Sequence, residues 1–375
     1  MTEQLKEYIE KNNLLMYKTL KELCLIPAPS HFENARAAYC KAWFDTYCGN
    51  GAYIDEALNV IFPINCENSD KITVFVAHTD TVFPDREPYP YREENGRIYC
   101  PGVADDTASV VTLLLTAKYF VENKIVPPNG GLFVCNSCEE GLGNLKGARL
   151  LFKNFENRIE TFISFDSHMD SLAERSVGSH RYEVEVKTEG GHSYNKFGGR
   201  NAIAELSKIV NEIYKIEVPK KEGTKTTYNV GIIEGGTSVN TIAQSAKMLC
   251  EYRSDDKDCL DFMRGEFERI FTAAAKDIDL SVTLVGDRPC GDIKPQKIEN
   301  LKHKVVPIIE EIIGKQLVLK SSSTDCNIPH SLGVAALCIG VNLHAKVHTR
   351  EEWLDKESMK TGLMIALKVS LNLVR

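Results

Sequence analysis

Hydrophobic and polar positions along the chain follow one rhythm at its two ends and another in between. Apolar residues at Leu5, Ile9, Leu14, Leu15, Tyr17, Leu20, Leu23 and Leu25 fall close to helical spacing and predict a helix over residues 1–27. The segment Ile26-Pro27-Ala28-Pro29-Ser30 ends it, because proline lacks the amide donor and restricts the residue before it. A second helix is expected over 34–47, then short strands near 51–55 and 59–64. Short, continuous apolar runs at 71–77, 131–137 and 160–165 read as buried strands, with helices expected at 108–123 and 146–155. Strands alternating with helices predict an α/β domain, a mostly parallel sheet with helices on both faces.

The rhythm changes near residue 181. Arg181-Tyr182-Glu183-Val184-Glu185-Val186-Lys187 alternates polar and apolar with period two, the pattern of a half-exposed antiparallel strand. A helix at 202–214, strands at 226–234 and 246–253, a helix at 258–276 and a strand at 279–285 complete a β-α-β-β-α-β order, which is ferredoxin-like. A compact α+β domain over 181–288 is therefore expected as an insertion into a discontinuous first domain, 1–180 with 289–375. That first domain resumes with a helix at 297–313, a strand at 334–339 and a closing helix at 356–373.

A length of 375 residues suits two domains. A net charge of −7 without a basic stripe argues against a nucleic-acid partner, and the lack of a polybasic segment argues against a lipid surface. No apolar run approaches the roughly 20 residues of a membrane span. Met1-Thr2-Glu3-Gln4-Leu5-Lys6-Glu7 lacks the charged and apolar regions of a secretory signal, so a cytoplasmic protein is expected. The 12 cysteines are scattered, several inside apolar runs, as reduced and buried thiols would be. Cys135 and Cys138 have the CxxC spacing, but they lie in a predicted strand and no second CxxC completes a four-thiolate site.

The chemistry collects at strand ends, where ligands bind in open α/β sheets. His78-Thr79-Asp80 follows the first buried run, and Cys138-Glu139-Glu140 the second. Strand alternation puts His78 and Asp80 on one side, so that one can bind a metal while the other orients it. Asp105 and Asp106 stand at a loop-to-helix junction, where a carboxylate can bridge two cations or cap the helix. Glu139 and Glu140 are adjacent and need different tasks, one binding metal and one taking a proton from water. Asp166 closes a further strand and His348 follows the last. Imidazole and carboxylate together suit zinc, and a metal site used for hydrolysis is the first hypothesis.

In this order, His78-Thr79-Asp80, Gly102-Val103-Ala104-Asp105-Asp106, Glu139-Glu140-Gly141, Asp166, Gly191-His192-Ser193 and His348-Thr349 with Glu352, the chain resembles the M20 zinc metallopeptidases, among them peptidase T, carboxypeptidase G2, succinyl-diaminopimelate desuccinylase and aminoacylases. The resemblance implies a zinc exopeptidase-like catalytic domain, an inserted lid that often dimerises, and two zinc ions, with cobalt or manganese as substitutes. It implies His78 and Asp166 on one zinc, Glu140 and His348 on the other, and Asp105 between them. It further implies Asp80 orienting His78, Glu139 as the general base, His192 as an oxyanion stabiliser, and Asn240 and Arg253 holding substrate. For Arg253 a strand-edge ion pair is an equal reading. Many members carry lysine two positions after the bridging aspartate, where this chain has Thr107. His344 competes with His348 for the ligand role, and the His-Thr-x-x-Glu spacing favours His348. His168 and His180 are left without a role, and His303 and His330 are read as structural.

The expectation is a dizinc amidohydrolase acting on short peptides, in the manner of a peptidase T-like exopeptidase, with a homodimer built through the lid. An N-acyl amino acid deacylase is the alternative. A peptide-binding protein without turnover, and a redox protein built on Cys135 and Cys138, are more distant ones.

Overall fold

The computed structural model describes residues 2–374. Met1 and Arg375, included in the expected first helix and domain limits, lie outside the described residues. The chain divides into two compact units, Met1–Ser176 with Asp292–Arg375, and Val177–Gly291.

The first unit is built on an eight-stranded sheet. Its order is Tyr53–Ile54, Val60–Ile64, Gly130–Asn136, Ile72–His78, Ile159–Ser164, Ala335–Ile339, Ser171–Ser176 and Val318–Ser322. The four central strands, Gly130–Asn136 through Ala335–Ile339, are parallel to one another. Val60–Ile64 and Ser171–Ser176 run antiparallel to their inner neighbours, so the sheet is mixed and mostly parallel. Alternate residues of the same strands feed two separate cores. Phe75, Ala77, Phe133 and Ile163 join one with the helices Ala108–Glu122 and Ser358–Leu373. Val74, Val76, Val134 and Phe162 join another with Leu145, Ala148 and Leu151. Burial on both faces explains why these strands read as unbroken apolar runs.

Several elements differ from the expected ones. The single first helix is two, Thr2–Lys11 and Asn13–Cys24. They part at the buried Asn12, whose side-chain amide donates to the Tyr8 carbonyl at 2.9 Å, a local bond that competes with helix continuation. Strands Ser171–Ser176 and Val318–Ser322 were not expected, because their polar composition carries no period-two signal. A small antiparallel sheet, His344–Ala345, Trp353–Asp355, Arg97–Tyr99 and Arg92–Glu94, occupies what reads as irregular sequence around prolines 84, 88 and 90. It pairs Trp353 with Tyr99 and so fastens the segment around His348 beside the segment leading to Asp105.

The second unit is a four-stranded antiparallel sheet in the order Thr226–Gly235, Ser245–Ser254, Gly178–Lys187, Asp279–Arg288. Helices Ala202–Ile213 and Lys257–Ala274 cover one face, which is the ferredoxin-like arrangement. Asn201 and Asp256 cap these helices, accepting from the amides of Ile203 and Cys259 at 3.0 Å each. Val184, Val186, Met248 and Tyr252 point to the helices, and the alternate residues Arg181, Glu183, Lys247 and Glu251 to the open face.

Candidate metal centre

Three loops at the carboxyl ends of the central strands, and two segments that arrive from elsewhere, make the site in the first unit. Asp105 is its hub. One carboxylate oxygen lies 3.0 Å from His78 Nε2 and the other 3.0 Å from His348 Nε2. His348 Nε2 is also 3.1 Å from Glu140 Oε1. Ligand-type atoms of His78, Asp105 and Asp166 lie within 4.8 Å of one another, as do those of Asp105, Glu140 and His348, and of His78, Glu139 and Glu140. All five expected metal-binding side chains are thus brought together, with Glu139 among them.

Electrostatics in this cluster is dominated by crowded acids. Burial raises the carboxyl of Asp105, but hydrogen bonds with His348 and His78 outweigh it and hold the group well below the carboxylate range. Asp166 is pushed up to about 7 by burial and by the charge of Asp105. His348 is pushed up to about 11 by its hydrogen bonds to Asp105 and Glu140. Burial disfavours charge on His78, yet Asp105 and Asp80 raise it well above the ordinary imidazole value. Protons on the imidazoles here balance negative charge that a divalent cation would balance better.

Buried carboxylates behind the cluster hold its backbone. Asp80 Oδ1 accepts from the amide of Glu139 and Oδ2 from the amide of Glu140, both at 2.9 Å. Oδ2 also accepts from Ser30 Oγ at 2.7 Å. His78 Nδ1 lies nearer the Asp80 backbone oxygen, at 3.0 Å, than the carboxylate, at 3.4 Å. Asp80 therefore grips the Glu139–Glu140 segment more firmly than it orients His78. Asp106, joined to Asp105 by a cis peptide, accepts from the amide of His78 at 3.0 Å. Glu33 accepts from the amide of Cys138 at 3.0 Å and from its thiol at 3.2 Å. Cys138 has φ 57° and His348 φ 63°, left-handed conformations that non-glycine residues adopt at a cost of about 1–3 kcal/mol.

Ser30, Glu33, Arg36 and Asp106 received no task from sequence reasoning beyond the helix ending at Pro27 and the acids at a junction. The Ser-x-x-Glu spacing of Ser30 and Glu33 before the helix Asn34–Tyr47 was the available signal, and it reads first as a capping box. Arg36 answers the departure at Thr107. Its buried guanidinium donates to Thr107 Oγ1 at 3.1 Å and to the Thr79 carbonyl at 3.0 Å, so a cation reaches this position from another part of the chain.

His192, Asn240 and Arg253 belong to the second unit. His192 is exposed and pairs with Thr241 in a two-stranded ladder, and the adjacent Ser193 amide donates to the Asn240 carbonyl at 3.0 Å. Arg253 donates to both oxygens of Glu251, at 2.7 and 3.0 Å, and Arg181 shares that carboxylate. His344 Nδ1 lies 2.6 Å from Asn342 Oδ1, and burial together with the nearby His168 pushes it down to about 4. His168 pairs with Asp170, and His180 lies between Tyr252 and Arg264. His330 is buried between Ser176 Oγ and the Ala336 carbonyl. All 12 cysteines are free and buried, Cys135 and Cys138 among them.

The sequence model of Peptidase family M20/M25/M40 matches residues 74–372, and the chain belongs to this family. A curated relative from Trichophyton verrucosum, named probable carboxypeptidase, is 26% identical over 281 residues, which are 68% of this chain and 59% of the relative. The chain thus matches about six-tenths of that relative's length. A tripeptidase from Staphylococcus aureus has a similar structure, with a TM-score of 0.75 at 21% identity over 97% of this chain and 98% of that one. So does a Bacillus subtilis protein described as a dinuclear metal binding peptidase of the M20 family, with a TM-score of 0.66 at 14% identity over 98% and 100%.

Proposed function

We propose that this protein is a dizinc amidohydrolase that cleaves a peptide bond in short peptides as an exopeptidase, with Glu139 as the general base. The observation that carries the reading is Asp105, whose two oxygens face His78 on one side and His348 on the other, with Asp166 and Glu140 completing the two sets. Two imidazoles and three carboxylates suit zinc, and cobalt or manganese as substitutes. Divalent cations, when bound, supply Lewis acidity toward the scissile carbonyl and toward water.

The chain's own groups do the rest. Glu139, buried beside the cluster, takes a proton from the attacking water and returns it to the leaving amine. Asp80 fixes Glu139 by its amide, so that the carboxylate keeps its place as charge develops. His192 donates to the oxyanion, a contribution of about 3–4 kcal/mol to the barrier for a well-aimed donor. Asn240 and Arg253 hold the substrate. Arg253 must exchange Glu251 for a substrate carboxylate to do so, which an arginine fork can do with equal geometry.

The names tripeptidase and probable carboxypeptidase on similar proteins support peptides over N-acyl amino acids as substrate. The second unit serves as lid and as the surface of a homodimer, for which the exposed Ile232 and Ile233 of its outer strand are suited. Twelve reduced thiols suit the cytoplasm. The test is turnover of tripeptides, dipeptides and N-acetyl amino acids by zinc-loaded protein, with metal content measured alongside. Release of a terminal residue from peptides is expected. Turnover of acyl amino acids alone would replace the peptidase reading by the deacylase one, and tight peptide binding without turnover would leave a binding protein.

A further inference from the structure

Glu352 is fully buried and lies four residues after His348, in the segment between that residue and the strand Trp353–Asp355. Its carboxylate reaches across to the loop that carries Asp105. Oε1 accepts from the amides of Ala104 at 2.8 Å and Asp105 at 3.1 Å, and Oε2 accepts from the amide of Gly102 at 2.9 Å. Three backbone donors thus converge on one carboxylate, an arrangement otherwise found at anion-binding nests. Gly102 has φ 74°, and a Cβ there would stand 2.5 Å from Thr81 Cγ2, so the loop has little freedom to take another path. The Glu352 amide in turn donates to the Thr349 carbonyl at 3.2 Å, which ties the staple to the His348 segment.

We propose that Glu352 is a positioning residue for the metal centre: by gripping the Gly102–Asp105 backbone it fixes the distance between Asp105 and His348. The inference rests on the dizinc reading of the cluster. A carboxylate shared by two cations must hold both oxygens in place at once, so backbone slack at Asp105 weakens both sites together. Slack at His348 would weaken one. Partners of this kind, once removed, weaken metal affinity by about 10–100-fold.

The experiment titrates metal-free wild type, E352Q and E352A with Co2+ at a temperature where circular dichroism shows each to be folded. E351Q, changing the exposed neighbour, is the control. Visible absorption reports the coordination of each ion. E352Q keeps the shape of the side chain but offers one acceptor oxygen, so the Gly102 amide or the pair of amides at Ala104 and Asp105 faces an NH2 group. Both Co2+ affinities are expected to fall about 10–100-fold, with an altered absorption band, while E351Q matches wild type. A role in folding alone would lower the unfolding temperature and leave affinity and spectrum of the folded protein unchanged, and that result overturns the proposal. Amide hydrogen exchange of the metal-free wild type gives a second readout that needs no variant. Ala104 and Asp105 are expected to be protected, and exchange at free-loop rates overturns the proposal. Wild type that takes up no Co2+ would instead overturn the metal centre itself.

Discussion

Replacing Asp80 by asparagine removes one acceptor from a buried place that uses both. In the wild type Oδ1 takes the Glu139 amide, and Oδ2 takes the Glu140 amide and the Ser30 hydroxyl. Asparagine has one carbonyl oxygen, so in either orientation one backbone N–H meets the side-chain NH2. A buried donor left without a partner costs about 1–3 kcal/mol. In a domain of this size each kcal/mol lowers the unfolding midpoint by about 2–4 °C, so D80N is expected to lose roughly 2–12 °C. Turnover should fall about 10–100-fold, because Glu139 is one of the two residues released. The pH dependence follows from the charge. Burial raises the Asp80 carboxyl, but the imidazole of His78 3.4 Å away and the hydrogen bonds from Ser30 and the Glu140 amide hold it below the ordinary 3.8. A group depressed in the folded state stabilises above its unfolded pKa and loses that contribution as pH falls through the folded one. The gap between wild type and D80N should be constant from pH 7 to about 5 and shrink below about 4. Thermal unfolding of both proteins across that range is the assay. Equal midpoints at pH 7, or a gap that does not narrow in acid, would refute the reasoning.

Other expectations use the same contacts. E139Q should retain its metal and lose about 10²–10⁴ in turnover, as measured by kcat beside elemental analysis, and a nearly unchanged kcat would remove its role as base. Chelation should abolish activity and zinc restore it. With His348 near 11 in the metal-free protein and Asp166 near 7, loading at pH 7.5 must expel protons, and affinity should rise with pH. Calorimetry in two buffers of different ionisation enthalpy counts them, and no release would contradict the assignment of His348. G362A places a Cβ 1.6 Å from the Val341 carbonyl oxygen, between the closing helix and the loop after the strand Ala335–Ile339. It should cost about 3 kcal/mol or more, read as a lowered denaturation midpoint, and a neutral result would mean the helix is free to shift.

Where a residue's surroundings are local in sequence, its place in the fold is legible. The buried runs that lead to His78, Glu140 and Asp166 announce strands and the candidate ligand positions after them together, because burial on both faces erases alternation and leaves chemistry-bearing side chains to the ends. The period-two segment at 181 announces the second unit for the opposite reason, one face being open. Polar strands such as Ser171–Ser176 gave no such sign. Their place is set by the pairing edge of Ala335–Ile339, not by their own pattern.

By itself, then, the order of residues pointed to the two-unit α/β architecture and, through the motifs it shares with the M20 metallopeptidases, to Asp105 and the four side chains that gather around it. Hydrophobic period and the chemistry of imidazole and carboxylate are properties of short stretches, and they survive being read one stretch at a time. Only the tertiary structure decided which groups steady that meeting. Glu33 reaches Cys138, Arg36 reaches Thr107, and Glu352 reaches the amides of Gly102–Asp105 across long intervals of chain. A buried carboxylate satisfied by backbone amides leaves no mark in the sequence of its partner, since every residue but proline carries the same N–H.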